Sequence, residues 1–313
     1  MIKMEELLCS IHNYTKFSGN NISFYELAQT GLDCGLDVII TTDRNIFPDG
    51  HSQYYYKAGK KLLVICGEEL FDPIRPESAH YLAIGIEKEQ FNLKVQNPEN
   101  EIRILIGERS ENRNFRHMEI MNAQEVLQKG IANGQKTIQD KLTAWENMLQ
   151  NDQRIVGTAG SCSEPDLKPY SYREILSTAC NHLFTEEQMN GDLTHDKLMV
   201  LKAIKKGASF FALDGLSDAK GFRFSAEGDS LSDPSYPGDI IYLKNSITLK
   251  MSIPEACVCR LIRDGKVIKE WRQCRQVPYT IYEPGYYRIE CALSRRNNLY
   301  SWIFTNPIYV FRG

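Results

Sequence analysis

The chain has 313 residues, 42% hydrophobic and 25% charged, and its 37 basic and 40 acidic side chains leave a formal net charge of -3. These values fit one large soluble domain, or a large and a small one, with a substantial core. They exclude a basic nucleic-acid footprint, and no run of about 18 apolar residues is present to cross a membrane.

The N-terminal stretch carries early acids and no long apolar run, so a secretory signal is not expected there. Residues 7–12 read as a short apolar strand ending in polar residues. Ser23 and Glu26 form a capping box that opens a helix carrying Leu27, Ala28 and Leu32, with a stop near Gly35. Residues 37–43 are apolar on both faces, which suits a parallel sheet. A helix is expected at 54–61, then a strand at 61–66 running into Gly67, Glu68 and Glu69. Further strands are predicted at 81–86, 102–106 and 117–122, a long helix at 133–149, and a strand at 154–159 that enters the loop 160–165. Ser171 and Glu174 repeat the capping-box pattern. Leu198, Leu201 and Ile204 mark a helix at 194–206 by their 3–4 spacing, and 208–213 is a strand. Repeated β/α units of this kind predict a parallel sheet or barrel with its site at the C-terminal strand ends.

Composition shifts after Asp214. Residues 215–239 are rich in Gly, Ser, Asp and Pro, as a connection between modules is. Strand patterns follow at 247–253, 256–263, 266–271, 276–281, 286–292 and 302–311, with a hairpin signal at Asp264 and Gly265 and a second turn at 283–285. These antiparallel strands predict a small sandwich.

Nine cysteines, an odd number in a large chain, read as free thiols in a reducing cytoplasm. Cys257 and Cys259 share one face of a strand and, with Cys274 and Cys291, would make a four-cysteine zinc site. The usual gap of about two to four residues within each ligand pair is absent, which favours core packing. No phosphate-binding Walker loop, dinucleotide fingerprint, nucleophile elbow or H-E-x-x-H motif is present.

The polar ends of the predicted strands gather His12, Asp43, Glu69, His80 and the 160–164 loop on one face, with His117 a weaker candidate. Oxygen and imidazole groups so placed suit Zn, Mn or Fe, and such a metal would activate water against a phosphate ester. Other readings stand beside this one. His12 would serve equally as a hydrogen-bonded core histidine, Asp43 as a cap for the next segment, His80 as a strand-start residue, and Cys162 as a structural thiol. His182 and His195 flank helical patterns and suggest no site.

Taken together, these residues resemble the PHP (polymerase and histidinol phosphatase) superfamily of metal-dependent phosphoesterases. The family opens with D-L-H-x-H-T-x-x-S, continues with a strand ending T-D-H, a G-x-E, an H-x-L-x-x-G-I strand and often an A-H-P element, and has a late S-D-x-H. Here His12, Thr15 and Ser18 match the opening, in which Ser10 stands at the aspartate, Thr42 and Asp43 match the next strand end, Gly67 and Glu69 the G-x-E, and His80 with residues 81–86 the following strand. The resemblance implies a distorted (β/α)7 barrel over residues 1–232 and a small antiparallel β-sandwich over 233–313.

The departures are local. Tyr14 replaces the second opening histidine, and Arg44 replaces the T-D-H histidine. The A-H-P element falls near 106–108 without a histidine. Cys162 and Glu164 replace the aspartate and histidine of the late loop. The shortage of histidine, six in all, is therefore concentrated at the family's ligand positions.

What survives implies a reduced metal site of His12, Asp43, Glu69 and a substitute Glu164, holding one divalent ion (Zn, Mn or Fe) or none. Arg44 repels a dication and suits an anionic substrate. His80 would support the metal shell or transfer a proton, and Cys162 would serve a redirected chemistry. Two functions follow: a phosphoesterase acting on a small phosphate ester, or a catalytically inactive module that binds a ligand or a protein. Neither involves nucleic acid or a membrane.

Overall fold

The computed structural model describes residues 4–71, 80–89, 101–106, 115–151, 154–163, 169–228, 233–296 and 298–313. Strand β1 (Glu5–Asn13) leads through helix α1 (Phe24–Asp33) to the parallel strand β2 (Val38–Arg44). Both bonds of the Ser23–Glu26 capping box form, and the helix buries Phe24, Leu27, Ala28, Gly31 and Leu32.

The next segment corrects the sequence expectation. Residues 54–61 are not helical but belong to β3 (Gln53–Lys57), which pairs antiparallel with β4 (Lys60–Leu70). Ala58 and Gly59 both adopt positive φ and close a two-residue hairpin. The three tyrosines before that turn favour an extended chain.

Strand β4 also lies parallel to β2. It then pairs antiparallel with β5 (Tyr81–Ile84), and β5 pairs antiparallel with β6 (Ile102–Leu105). β7 (His117–Asn122) and β8 (Val156–Gly160) continue in parallel from β6, joined by the long helix α2 (Ala123–Gln150). This helix starts ten residues earlier than its apolar pattern suggests, because Asn122 caps it and Gly130 carries a non-helical break inside it.

The short helix α3 (Tyr172–Leu176) begins at the second capping box. An unpredicted strand, β9 (Cys180–Thr185), follows and places His182 inside the sheet. Helix α4 (Leu193–Lys206) leads to β10 (Ser209–Ala212), and β9 lies antiparallel between β1 and β10. The sheet is thus mixed, whereas uniform β/α repeats would make it parallel throughout. The ten residues between Leu70 and Tyr81 are fewer than a parallel crossover needs.

The remaining strands are β11 (Arg223–Glu227), β12 (Ile240–Leu243), β13 (Ile247–Arg263), β14 (Lys266–Ile281), β15 (Gly285–Arg295), β16 (Asn298–Thr305) and β17 (Ile308–Arg312). Asp264 and Gly265, both at positive φ, turn β13 into β14 as the sequence suggests. This part is joined to the first by main-chain pairing of β10 with β16.

A single apolar cluster runs from Leu7, Ile11 and Val38 to Leu261, Trp302 and Val310. Glu146 of α2 adds an ionic tie, accepting from Arg288 at 2.6 Å and from the Tyr286 hydroxyl at 2.5 Å. No described helix is long and apolar enough to cross a membrane.

Candidate functional site

The C-terminal ends of β1, β2, β4 and β8 meet at one place. The register of β1 shifts between Ser10 and Asn13, and His12 in that bulge has a φ of 66°. A positive φ is costly for a residue with a Cβ and persists only where its surroundings enforce it. Here the amides of Ser161 and Cys162 donate to the carbonyls of Ile11 and His12 at 2.8 and 2.7 Å, locking the end of β8 onto the bulge. Gly160 permits this, because a Cβ there would overlap the Glu119 carboxylate.

His12 is buried and both its ring nitrogens are occupied. Nδ1 meets Glu119 Oε2 at 2.7 Å, and Nε2 meets the Tyr14 hydroxyl at 2.8 Å. Burial disfavours a charged imidazole, yet the Cys162 sulfur and the Glu119 carboxylate raise His12 well above the ordinary histidine value. Burial likewise pushes Glu119 up, and the charge of His12 outweighs it and holds the carboxyl below its usual range. The two form a buried ion pair. Asn122 donates to the remaining Glu119 oxygen at 2.9 Å.

Tyr14 carries the network outward. It receives Arg44 Nη2 at 3.3 Å and hydrogen-bonds the Glu69 carboxylate, while its ring lies 4.8 Å from the Arg44 guanidinium carbon. Arg44 and Glu69 stand opposite each other on the parallel strands β2 and β4, and Arg44 Nε donates to Glu69 Oε2 at 3.2 Å. His80 binds the other Glu69 oxygen. Burial would raise the Glu69 pKa. The His80 hydrogen bond, the charge of His12 and the Tyr14 hydroxyl instead bring it to about 2. The chain of contacts reaches the surface, where the Arg44 and His80 side chains are 42% and 31% exposed.

Asp43 does not join this group. It precedes Arg44 on the strand and therefore faces the other way. Its carboxylate accepts from the Thr15 amide at 2.7 Å, the Thr15 hydroxyl at 2.8 Å and the Ser18 hydroxyl at 2.7 Å, which fixes the turn at Lys16–Ser18. Cys162 is half-buried with Sγ 3.9 Å from the Tyr14 hydroxyl. Glu164 and the 107–108 part of the A-H-P-like segment lie outside the described residues. His117 is buried against the Ile204 carbonyl at 3.1 Å, away from the group. Sequence reasoning missed Glu119, although an acid inside the apolar strand pattern 117–122 was a usable signal.

The donor set does not fit a dication. Both His12 nitrogens are engaged, the Glu69 oxygens are bonded to Arg44 and His80, and the fixed charge of Arg44 stands beside them. Among the described residues, no group of three or more His, Cys, Asp or Glu side chains is placed to hold a metal ion.

No family model matches the chain, and no curated protein matches it. Among solved structures it is similar to a two-domain protein containing a predicted PHP-like metal-dependent phosphoesterase from Bacteroides vulgatus. The two share 12% identity over 97% of this chain and 96% of that one, with a TM-score of 0.45.

Proposed function

We propose that this chain is a PHP-like protein that binds a small anionic molecule, such as a phosphate ester, without metal-dependent hydrolysis. In this reading residues 1–232 form a distorted (β/α)7 barrel, residues 233–313 a β-sandwich module, and the setting is a reducing cytoplasm in which the thiol is the resting state of the nine cysteines. The observation that carries it is the Glu69 carboxylate, paired with the Arg44 guanidinium and hydrogen-bonded by His80 on the face where the family pattern implies metal ligands.

Arg44 is anchored by Glu69 and Tyr14, and its side chain is 42% exposed. A partly exposed, positioned guanidinium can take up a phosphate in exchange for its present contacts, and charge-assisted bonds of this kind are the strong ones. His80 lies at the same edge and adds a second donor. The His12–Glu119 pair and the Asp43-bound turn keep this edge in shape.

The test uses protein purified without chelator. Elemental analysis is expected to find metal well below one equivalent, para-nitrophenyl phosphate to remain uncleaved with added Mn or Zn, and calorimetry to show saturable binding of inorganic phosphate. Stoichiometric metal, with turnover abolished by His12→Ala and by Asp43→Ala, would instead establish the phosphoesterase reading, with His12, Asp43, Glu69 and Glu164 as the ligands.

A further inference from the structure

Four of the nine cysteines gather far from the Arg44 edge, on the adjacent strands β14, β13 and β15. Cys257 is the register partner of Cys274, and Cys259 is the partner of Cys291. Antiparallel partners place their Cα atoms roughly 4.5 to 5.5 Å apart, inside the window of roughly 4.4 to 6.8 Å that a disulfide spans. Cys274 Sγ leans across β13 and lies 3.7 Å from the Cys257 carbonyl oxygen. Thiol contacts also link Cys259 to Cys274 and Cys291, and Cys291 to Cys257. The four sulfurs thus form one connected group. Among the described residues no group of three or more His, Cys, Asp or Glu side chains is placed to hold a metal ion.

Access to the group is one-sided. Cys257, Cys259 and Cys291 are sealed in the core, whereas Cys274 is half-buried. Its neighbour Gln273 has a φ of 55°, and the β13–β14 register shifts there. Such a bulge unpairs residues locally and re-aims a side chain. The arrangement has one thiol that a solute can reach and a register partner behind it to complete an exchange.

We propose that this cluster is a thiol–disulfide exchange site, at which a small-molecule disulfide oxidises Cys274 and Cys257 to a cross-strand disulfide. The Cys274 thiol loses its proton to water, and the thiolate attacks one sulfur of the small disulfide. That sulfur–sulfur bond breaks, one small thiolate leaves, and a mixed disulfide remains on Cys274. The Cys257 thiolate then attacks the Cys274 sulfur and displaces the second small thiolate. Two protein thiols are oxidised by two electrons, the small disulfide is reduced to two thiols, and the two protons lost by the protein balance those two thiols. Cys259 and Cys291 stay reduced beneath the new bond.

The test incubates the full chain with oxidised glutathione without oxygen, then alkylates the remaining thiols and maps the peptides by mass spectrometry. The expected result is a loss of two of the nine thiols, a Cys257–Cys274 linked peptide, and full reversal by dithiothreitol. Cys274→Ser is expected to lose none of these thiols, Cys34→Ser to lose the same two, and Cys257→Ser to stop at one glutathione on Cys274. Nine retained thiols in the unaltered chain, or a linkage joining any other pair, overturns the proposal.

Discussion

The two ends of β1 carry the same chemical pair in different settings. Near its start, Glu6 meets the buried His182; near its end, His12 meets the buried Glu119. His182 is enclosed on every side. Nδ1 lies 2.8 Å from Glu6, Nε2 lies 3.2 Å from both Asp214 oxygens, and Phe210 stacks on the ring at 4.2 Å. Arg223 and the Gly221 amide complete the partners of Glu6. Two carboxylates thus face one imidazolium and one guanidinium, and the cluster ties β1, β9 and β10 together. The His12 pair instead opens a chain through Tyr14 and Glu69 that reaches solvent at Arg44 and His80. An imidazole–carboxylate pair acts as a joint where all its partners are internal, and as the base of a site where its chain of contacts reaches partly exposed side chains.

The largest expected effect tests the joint. His182→Ala leaves the largely enclosed Glu6 and Asp214 without their shared imidazolium, Glu6 keeping Arg223 and the Gly221 amide and Asp214 the Ala219 amide. Breaking a buried pair in this way costs about 3–5 kcal/mol, read as a fall in the urea midpoint. A loss below about 1 kcal/mol would place His182 with dispensable surface pairs and erase the contrast between the ends of β1.

A pH series sharpens the same contrast. Burial lowers the affinity of His182 for a proton, but the hydrogen bonds and charges of Asp214 and Glu6 outweigh it and raise the group to about 9. Its folded value lies above its unfolded one, so the stabilisation is fully present below about pH 6.5 and disappears as pH rises through 9. Stability is expected to fall by up to about 3 kcal/mol between pH 6.5 and 9.5, and His182→Ala should flatten that slope. His117 has the opposite sign. Burial holds it down at about 4, so its contribution is lost as pH falls from 6.5 toward 4 and marks the acid side of the profile. An alkaline slope of equal size in the His182 variant would move the effect to other groups.

What was legible in the sequence follows the range of the interactions. Capping boxes at Ser23 and Ser171 and the Asp264–Gly265 turn are local, and their residues announce them. β9 was invisible because its polar residues acquire partners only after folding. Asn181 satisfies the amide and carbonyl of Ala159, and the partners of His182 lie 176 and 32 residues away. The 54–61 segment was misread because the strand preference of its tyrosines decides the matter only once Ala58 and Gly59 are recognised as a turn. At the site, His12, Glu69 and His80 stood out as strand-end residues and Arg44 through the family resemblance, and the four lie along one chain of contacts. Asp43 could have been separated from Arg44 by strand alternation alone. Glu119 was hidden inside a strand whose partner was His12, 107 residues earlier.

The smallest expected stability effect belongs to Arg44→Ala. Its side chain is 42% exposed, and Glu69 keeps His80 and Tyr14 as donors when the guanidinium is gone. Half-exposed ion pairs contribute about 1 kcal/mol or less, so the unfolding midpoint should barely move. Phosphate binding should behave differently. Removing charge-assisted hydrogen bonds worth about 1.5–3 kcal/mol weakens binding by about 10- to 100-fold. Arg44→Lys, which keeps the charge and loses the planar fork, should fall between the two. Calorimetry and unfolding on the same preparations separate the outcomes. If Arg44→Ala destabilises the chain as His182→Ala does while phosphate affinity is unchanged, both ends of β1 are joints and the opening at Tyr14, Glu69 and Arg44 has no binding role.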